Sequence, residues 1–111
     1  MPRDRLLLRE MIEAGERILA LVGRLDPERP DADRDLLDAL LWNFTVLGEA
    51  SAHVSVELKV AHPELAWADP VRLRNRIVHG YWSVDLDVLV STARDDVPSL
   101  VAALRAMEVD T

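Results

Sequence analysis

The chain of 111 residues has no cysteine, only four glycines and six prolines, and no long apolar run. Without cysteine there is no disulfide, no thiolate nucleophile and no cysteine-ligated zinc; this fits a reducing compartment, so we expect a cytoplasmic protein. No apolar stretch approaches the roughly 20 residues that cross a bilayer, and the charged N-terminus does not indicate a signal peptide, so we expect no membrane contact. The composition, 50% hydrophobic, excludes a disordered chain and favours a single domain over residues 1–111.

Positive charge is also scarce, since 13 Lys and Arg stand against 20 Asp and Glu, for a formal net charge of −7. This balance excludes a protein that coats nucleic acid with a generally basic surface. One segment differs, because residues 71–81 hold Arg72, Arg74, Arg76 and His79 and no acidic residue. Any contact with nucleic acid therefore has to be local, and this segment is the place to expect it.

Apolar residues recur at three- and four-residue spacing in four parts of the chain, which is typical of amphipathic helices. The predicted helices cover about residues 3–25, 33–60, 70–79 and 85 onward. No convincing strand-like alternation is present. The sequence therefore predicts an all-α bundle of four to five helices.

The helix ends carry their own signals. Asp69 before Pro70 is a capping side chain followed by proline at the first helical position, and Gly80 is a typical helix terminator. Asp85 can cap the last helix, in which Pro98 predicts a kink or a break into two segments. In the second predicted helix, small residues around Gly48 predict close approach of a neighbouring helix.

The third predicted helix and the residues after it concentrate side chains that can carry chemistry: Arg74, Asn75, His79 and Tyr81. At 100° per residue Arg74 and Tyr81 nearly eclipse, while Asn75 and His79 share a face about 100 to 140° away. An ideal helix therefore cannot point all four at one place. Either the helix loosens at His79 and Gly80, or two copies meet across a twofold axis and line one cleft together, which we favour.

Arg74-x4-His79-x-Tyr81, within the string RNRIVHGYW, resembles the R-x4-H-x-Y signature of the HepT-like toxins of the HEPN superfamily of α-helical ribonuclease domains. Residues 40–50, with their Gly-Glu-Ala step, are similar to that family's second helix, and residues 84–98 to its last helix. The resemblance spans nearly the whole chain, and it implies a HEPN-type bundle.

The resemblance also implies a function. It implies a homodimeric endoribonuclease toxin of a type II toxin–antitoxin system that needs no metal or cofactor and is neutralised by a minimal nucleotidyltransferase antitoxin, which can AMPylate Tyr81. Arg74 and His79 take the catalytic roles and Asn75 a supporting one. Arg72 and Arg76 are either a solvated face or unspecific phosphate contacts that steer RNA.

These residue types suit RNA cleavage. Attack by the 2′-hydroxyl needs a general base, for which neutral His79 is suited, and a cation at the developing phosphorane, which Arg74 can hold with forked donors. Asn75 can orient His79 or a phosphate oxygen. Tyr81 is either a stacking face for a base or a core or interface aromatic, and for Trp82 we favour the core or interface role.

Other polar residues leave alternatives open. His53 and His62 show no metal-ligand spacing, so we expect no metal site. Glu49 lies on an apolar face, where it either pairs with a third-helix arginine or reaches solvent at the rim. The rival function is a non-catalytic helical subunit of a nucleotidyltransferase complex, in which the arginines hold a nucleotide or an acidic partner surface.

Overall fold

A computed structural model describes residues 2–110, with the side chains of residues 3–109. The helices are α1 (Pro2–Val22), α2 (Arg34–His53), α3 (Val56–Ala61), α4 (Ala68–His79), α5 (Leu86–Ser91) and α6 (Val97–Asp110). A 3-10 turn covers Tyr81–Ser83 and a π-helical turn covers Thr92–Asp96. We call α5, the π-helical turn and α6 together the last helix; counted so, the described chain has five helices and no strand. The predicted all-α bundle is confirmed.

The core lies where the apolar stripes predict it. α1 packs against α2 and α6, and α4 packs against α2. The predicted stripes of α1, α2 and the last helix face the core, including the completely buried Leu8, Leu40 and Leu104. α1 ends at Val22, three residues before the predicted end. Within residues 2–110, no helix combines the length and the apolar character that a bilayer crossing requires.

Small residues of α2 set the position of α4. A Cβ atom on Gly48 would lie 2.3 Å from the Cβ of Arg74 and 2.4 Å from the carbonyl oxygen of Pro70, so only glycine allows this approach. One turn further on, the Ser51 hydroxyl donates to the carbonyl oxygen of Trp67 at 2.7 Å. The close approach predicted from the small residues of this helix is confirmed.

The predicted continuation of α2 to about residue 60 is wrong, because the helix stops at His53 and the chain extends through Val54 and Ser55. The buried Asp4 carboxylate accepts hydrogen bonds from the Ser55 amide at 2.9 Å and from its hydroxyl at 2.5 Å. Burial raises the pKa of Asp4, but these hydrogen bonds outweigh burial and leave it below its usual 3.8. Ser55 in turn caps α3 by accepting from the Leu58 amide.

The predicted cap of α4 is also wrong. The helix begins at Ala68, so Asp69 lies inside its first turn and pairs with Arg72 instead of capping. The reason is Trp67, whose buried indole donates to the His62 carbonyl oxygen at 3.0 Å and whose backbone is already helical, so that the helix begins two residues before Pro70. The predicted end is confirmed, since Gly80 has φ +146° and its amide donates to the carbonyl oxygens of Arg76 and Ile77.

The predicted break in the last helix is confirmed just before Pro98. Proline has no amide to donate to the carbonyl oxygen of Arg94, four residues back. The turn ahead of it widens, and the Val97 amide donates to Thr92, five residues back. At the start of this helix Asp85 caps α5 as predicted, by accepting from the amides of Asp87 and Val88.

Candidate active site

The sequence-predicted site residues lie on three sides of α4. This helix is regular from Ala68 to His79, so each residue turns about 100° from the last. Arg74 faces α2, where its stem packs on Gly48. Arg72 and Arg76 line the opposite flank, and Asn75 and His79 are exposed on the outer side. One protomer therefore does not bring the four arginine and histidine side chains of this segment together.

The Arg74 guanidinium is held by two neighbours. Its Nη2 lies 2.9 Å from Glu49 Oε2, and its Nη1 donates to Asn75 Oδ1 at 2.9 Å. Its Nε is buried without a hydrogen-bond partner among the described residues. Because the side chain is still 33% exposed, a phosphate can reach the guanidinium edge only by sharing it with, or displacing, Glu49.

The sequence left open whether Glu49 pairs with an arginine or reaches solvent. Both are true, since Glu49 pairs with Arg74 of α4 and its side chain is half exposed. His53 extends this arrangement, because its Nδ1 lies 3.6 Å from Glu49 Oε1 and 2.9 Å from the Glu49 carbonyl oxygen. From the sequence, His53 was considered only as a metal ligand and was set aside. The four-residue spacing of Glu49 and His53 was the signal available, since it places both on one face of α2.

His79 is the last residue of α4, and it is exposed. Since the helix stays regular to that point, His79 lies about 140° around its axis from Arg74. The chain does change direction, but at Gly80, one residue too late to turn His79 toward Arg74. Of the two predicted ways in which the site side chains could meet, loosening of the helix at His79 and Gly80 within one protomer is wrong.

Asn75 is placed to orient Arg74, since its side-chain oxygen accepts from that guanidinium. This differs from the expected contact with His79 or a phosphate oxygen. The helix spacing that would align Arg74 with Tyr81 also does not apply, because α4 ends before Tyr81 is reached.

Tyr81 instead contacts the start of α2. The guanidinium carbon of Arg34 lies 4.6 Å from the centre of the Tyr81 ring, a cation–π contact. The Arg34 Nε donates to Asp38 Oδ1 at 2.8 Å, and Asp38 and then Tyr81 raise the pKa of Arg34 above its usual value. Sequence reasoning missed Arg34, which lies 47 positions from Tyr81 and carries no local signal of the contact.

Trp82 packs edge-on to Tyr81, with ring centres 5.9 Å apart and planes at 68°. It is 78% exposed. The prediction that it belongs to the core is therefore wrong, while a role at an interface stays a prediction. Tyr81 is about one-third exposed.

Arg72 and Arg76 line a groove of about 690 Å³ between α4 and the last helix, over a floor that includes Phe44 and Leu47. Arg72 pairs with Asp69, whereas no carboxylate among the described side chains pairs with Arg76. These arginines are on the flank away from Arg74, so they do not join it at one phosphate in the same protomer. In residues 3–109, no group of three or more His, Asp or Glu side chains is arranged to hold a metal ion.

Comparison with family models matches residues 11–107 to the family described as ribonuclease HepT-like. The chain belongs to the HepT-like ribonuclease family. The match covers all of α2 to α5, so this HepT-like ribonuclease carries Arg74, His79 and Tyr81 inside the family's own range. The resemblance to HEPN ribonucleases that the motif indicated is confirmed.

Relatives of this HepT-like chain support the same assignment. A probable ribonuclease HepT from Thermococcus cleftensis is 32% identical over 93 residues, which cover 84% of each chain. A protein of Methanocaldococcus jannaschii named as a candidate RNase is 23% identical over 93 residues, covering 84% of this chain and 85% of that one. A similarly named protein of Caldanaerobacter subterraneus is 22% identical over 100 residues, covering 90% and 89%. No solved structure matches this chain significantly.

Proposed function

We propose that this HepT-like ribonuclease is the toxin of a type II toxin–antitoxin system, a cytoplasmic homodimer that cuts RNA without a metal at a cleft built from both protomers. The observation that carries the proposal is the state of Arg74, whose guanidinium is oriented by Glu49 and Asn75 at a partly open edge. A cation fixed in advance stabilises a developing phosphorane without reorganising during the reaction.

The second protomer is needed because of the helix geometry. In one chain, Arg74 and His79 lie on sides of α4 about 140° apart. A twofold axis beside α4 would bring Arg74 of one protomer toward the exposed His79 of the other. Both halves of the chemistry would then face one RNA strand, twice per dimer.

At such a cleft the reaction is an internal transfer. Neutral His79 removes the proton from the ribose 2′-hydroxyl, and the 2′-oxygen forms a bond to the adjacent phosphorus. Arg74 stabilises the phosphorane oxygens, the bond from phosphorus to the 5′-oxygen breaks, and that oxygen takes up a proton. The products are a 2′,3′-cyclic phosphate and a 5′-hydroxyl end. Each of the two groups should supply about a hundredfold in rate or more.

Control by the antitoxin would act at Tyr81. A minimal nucleotidyltransferase would hold ATP so that the Tyr81 oxygen attacks the α-phosphorus, with loss of the phenolic proton and release of pyrophosphate. The partial exposure of Tyr81 supports this role. The added adenylate would place a negative charge and a bulky group two residues from His79, where both would oppose RNA binding.

The test is cleavage of RNA by the purified dimer with EDTA present, and analysis of the ends produced. We expect cyclic phosphate ends, and a loss of about a hundredfold or more for His79→Ala and for Arg74→Ala. Arg105→Ala is the matched control, because this arginine pairs with Glu16 of α1 and not with any residue of the proposed site, so that its loss should leave the rate unchanged.

Retention of activity by His79→Ala, or cleavage that EDTA abolishes, would contradict the mechanism. If the wild type and His79→Ala were equally inert, and Arg74→Ala weakened binding to the nucleotidyltransferase, the chain would be the non-catalytic subunit. The neutralisation of Arg74 by Glu49 is the observation that favours this second function.

A further inference from the structure

The exposure of Trp82 indicates a contact site. Its indole is 78% exposed, more than any other aromatic side chain that the structure describes. Tryptophan is enriched at binding interfaces, because its indole offers a large apolar contact area. Trp82 follows His79 by three residues, so its contact site lies beside the proposed cleft.

The indole of Trp82 packs on Gly80. A Cβ atom on Gly80 would lie 2.3, 2.4 and 2.6 Å from three atoms of the six-membered indole ring. These nearly equal distances mean that Gly80 faces the plane of the ring and not its edge. One face of the indole therefore covers the backbone next to His79, and the exposure of the side chain leaves the other face open.

Tyr81 is less suited to stacking on a base, because it is less exposed than Trp82 and Arg34 lies over one face of its ring at 4.6 Å. Arg34 instead adds a cation next to the aromatic pair. In the same segment Arg72 and Arg74 are paired with Asp69 and Glu49, which leaves Arg76 as the arginine of residues 71–84 that has no carboxylate partner among the described side chains. An aromatic plane beside a cation suits a nucleotide, because the base has a face to stack and the phosphate has a charge to neutralise.

We propose that Trp82 is a base-stacking subsite for single-stranded RNA, holding one nucleobase next to the scissile bond. The inference rests on the proposed ribonuclease function for its substrate. Stacking on an aromatic side chain typically changes affinity by about 5- to 150-fold per base. Trp82 is thus a positioning residue for the RNA, while Arg74 and His79 act on the phosphate and the 2′-hydroxyl.

The experiment uses the full dimer and fluorescein-labelled RNA octamers whose 2′-oxygens are all methylated, so that cleavage cannot occur. In a companion set, each position in turn lacks its base. Anisotropy gives Kd for every octamer with the wild type and with Trp82→Leu, which keeps an apolar side chain but removes the stacking plane. For the wild type we expect one abasic position to weaken binding by about 5- to 150-fold.

We call this loss of affinity at one abasic position the abasic penalty. In Trp82→Leu we expect the abasic penalty to fall to about onefold, and in Trp82→Phe we expect it to be partly restored. Trp42→Leu is the matched control, since this tryptophan is also exposed but lies on α2; it should keep the wild-type penalty. Sedimentation of each variant shows whether the dimer survives.

An abasic penalty that persists in Trp82→Leu would overturn the inference, as would failure of the wild type to bind any octamer. Dissociation of the dimer by Trp82→Leu with the penalty unchanged would make Trp82 an interface residue and also overturn it. Binding does not require cleavage, so a collapsed penalty in a protein that cuts no RNA would uphold the stacking subsite and reject the ribonuclease mechanism.

Discussion

The contact between α2 and α4 at Gly48 makes a sharp prediction about Gly48→Ala. A new Cβ would lie 2.3 Å from Arg74 Cβ, where ordinary contact begins at about 3.4 Å, so α4 must move by roughly 1.1 Å, the difference between these distances. Neither obstacle is a flexible side-chain end, since the second is the backbone oxygen of Pro70. The displacement must therefore be taken up by α4 itself, together with Arg74.

Two opposing effects determine the stability of this variant. Alanine favours a helix interior over glycine by about 1 kcal/mol, whereas overpacking typically costs about 1–3 kcal/mol. We expect a net loss of about 1 kcal/mol in the free energy of unfolding, or a Tm lower by about 4–8 °C. RNA cleavage should fall further, by about a hundredfold, because a misplacement of about 1 Å at a catalytic group has that effect.

Urea unfolding and the cleavage assay measure the two effects separately. Gly23→Ala is the control, because its Cβ would lie 3.6 Å from the nearest carbonyl oxygens and should be neutral or slightly stabilising. A Gly48→Ala protein that is as stable as the wild type and cuts RNA at the same rate would refute the close approach of α4.

Two further predictions concern carboxylates. Glu49→Gln removes the charge that competes with phosphate for Arg74, so Kd for the methylated octamers should fall by up to about fivefold at low salt. The control Glu13→Gln should leave Kd unchanged. Equal Kd values for the wild type and Glu49→Gln would show that Glu49 does not compete. Asp4→Asn should lower the free energy of unfolding at pH 7 by about 1.5–3 kcal/mol, because it loses charged hydrogen bonds to Ser55. Folding lowers the pKa of Asp4, so the stability that its carboxylate contributes is present above pH 3.8 and is lost as the pH falls through the lowered pKa. The free energies of unfolding of the wild type and Asp4→Asn should therefore converge in acid. A difference that stays constant with pH would show that the charge of Asp4 is not its source.

The sequence was sufficient wherever a local pattern decides the outcome. The buried stripes of α1, α2 and the last helix follow from three- and four-residue spacing, and the ends at Gly80 and Asp85 follow from backbone freedom and capping. Pro98 likewise marks the widened turn, because the missing amide belongs to the residue itself.

Where the sequence fell short, a distant residue decided the outcome. α2 ends at His53 because Asp4, 51 positions before Ser55, binds the amide and hydroxyl of that serine. The start of α4 depends on burial of Trp67, and the position of Tyr81 depends on Arg34. The types of the site residues could be read from the motif, but their orientation required knowing which side of α4 packs on α2.

The helix that carries the motif, α4, packs on the bundle through one side. α4 packs on α2, the groove separates its other flank from the last helix, and no side chain of α4 itself is fully buried. Segments with few buried apolar contacts open locally at a much lower free energy than the whole fold. Tilting of α4 would move Arg74 and His79 together, so a partner bound in the groove would act on the proposed cleft without touching RNA.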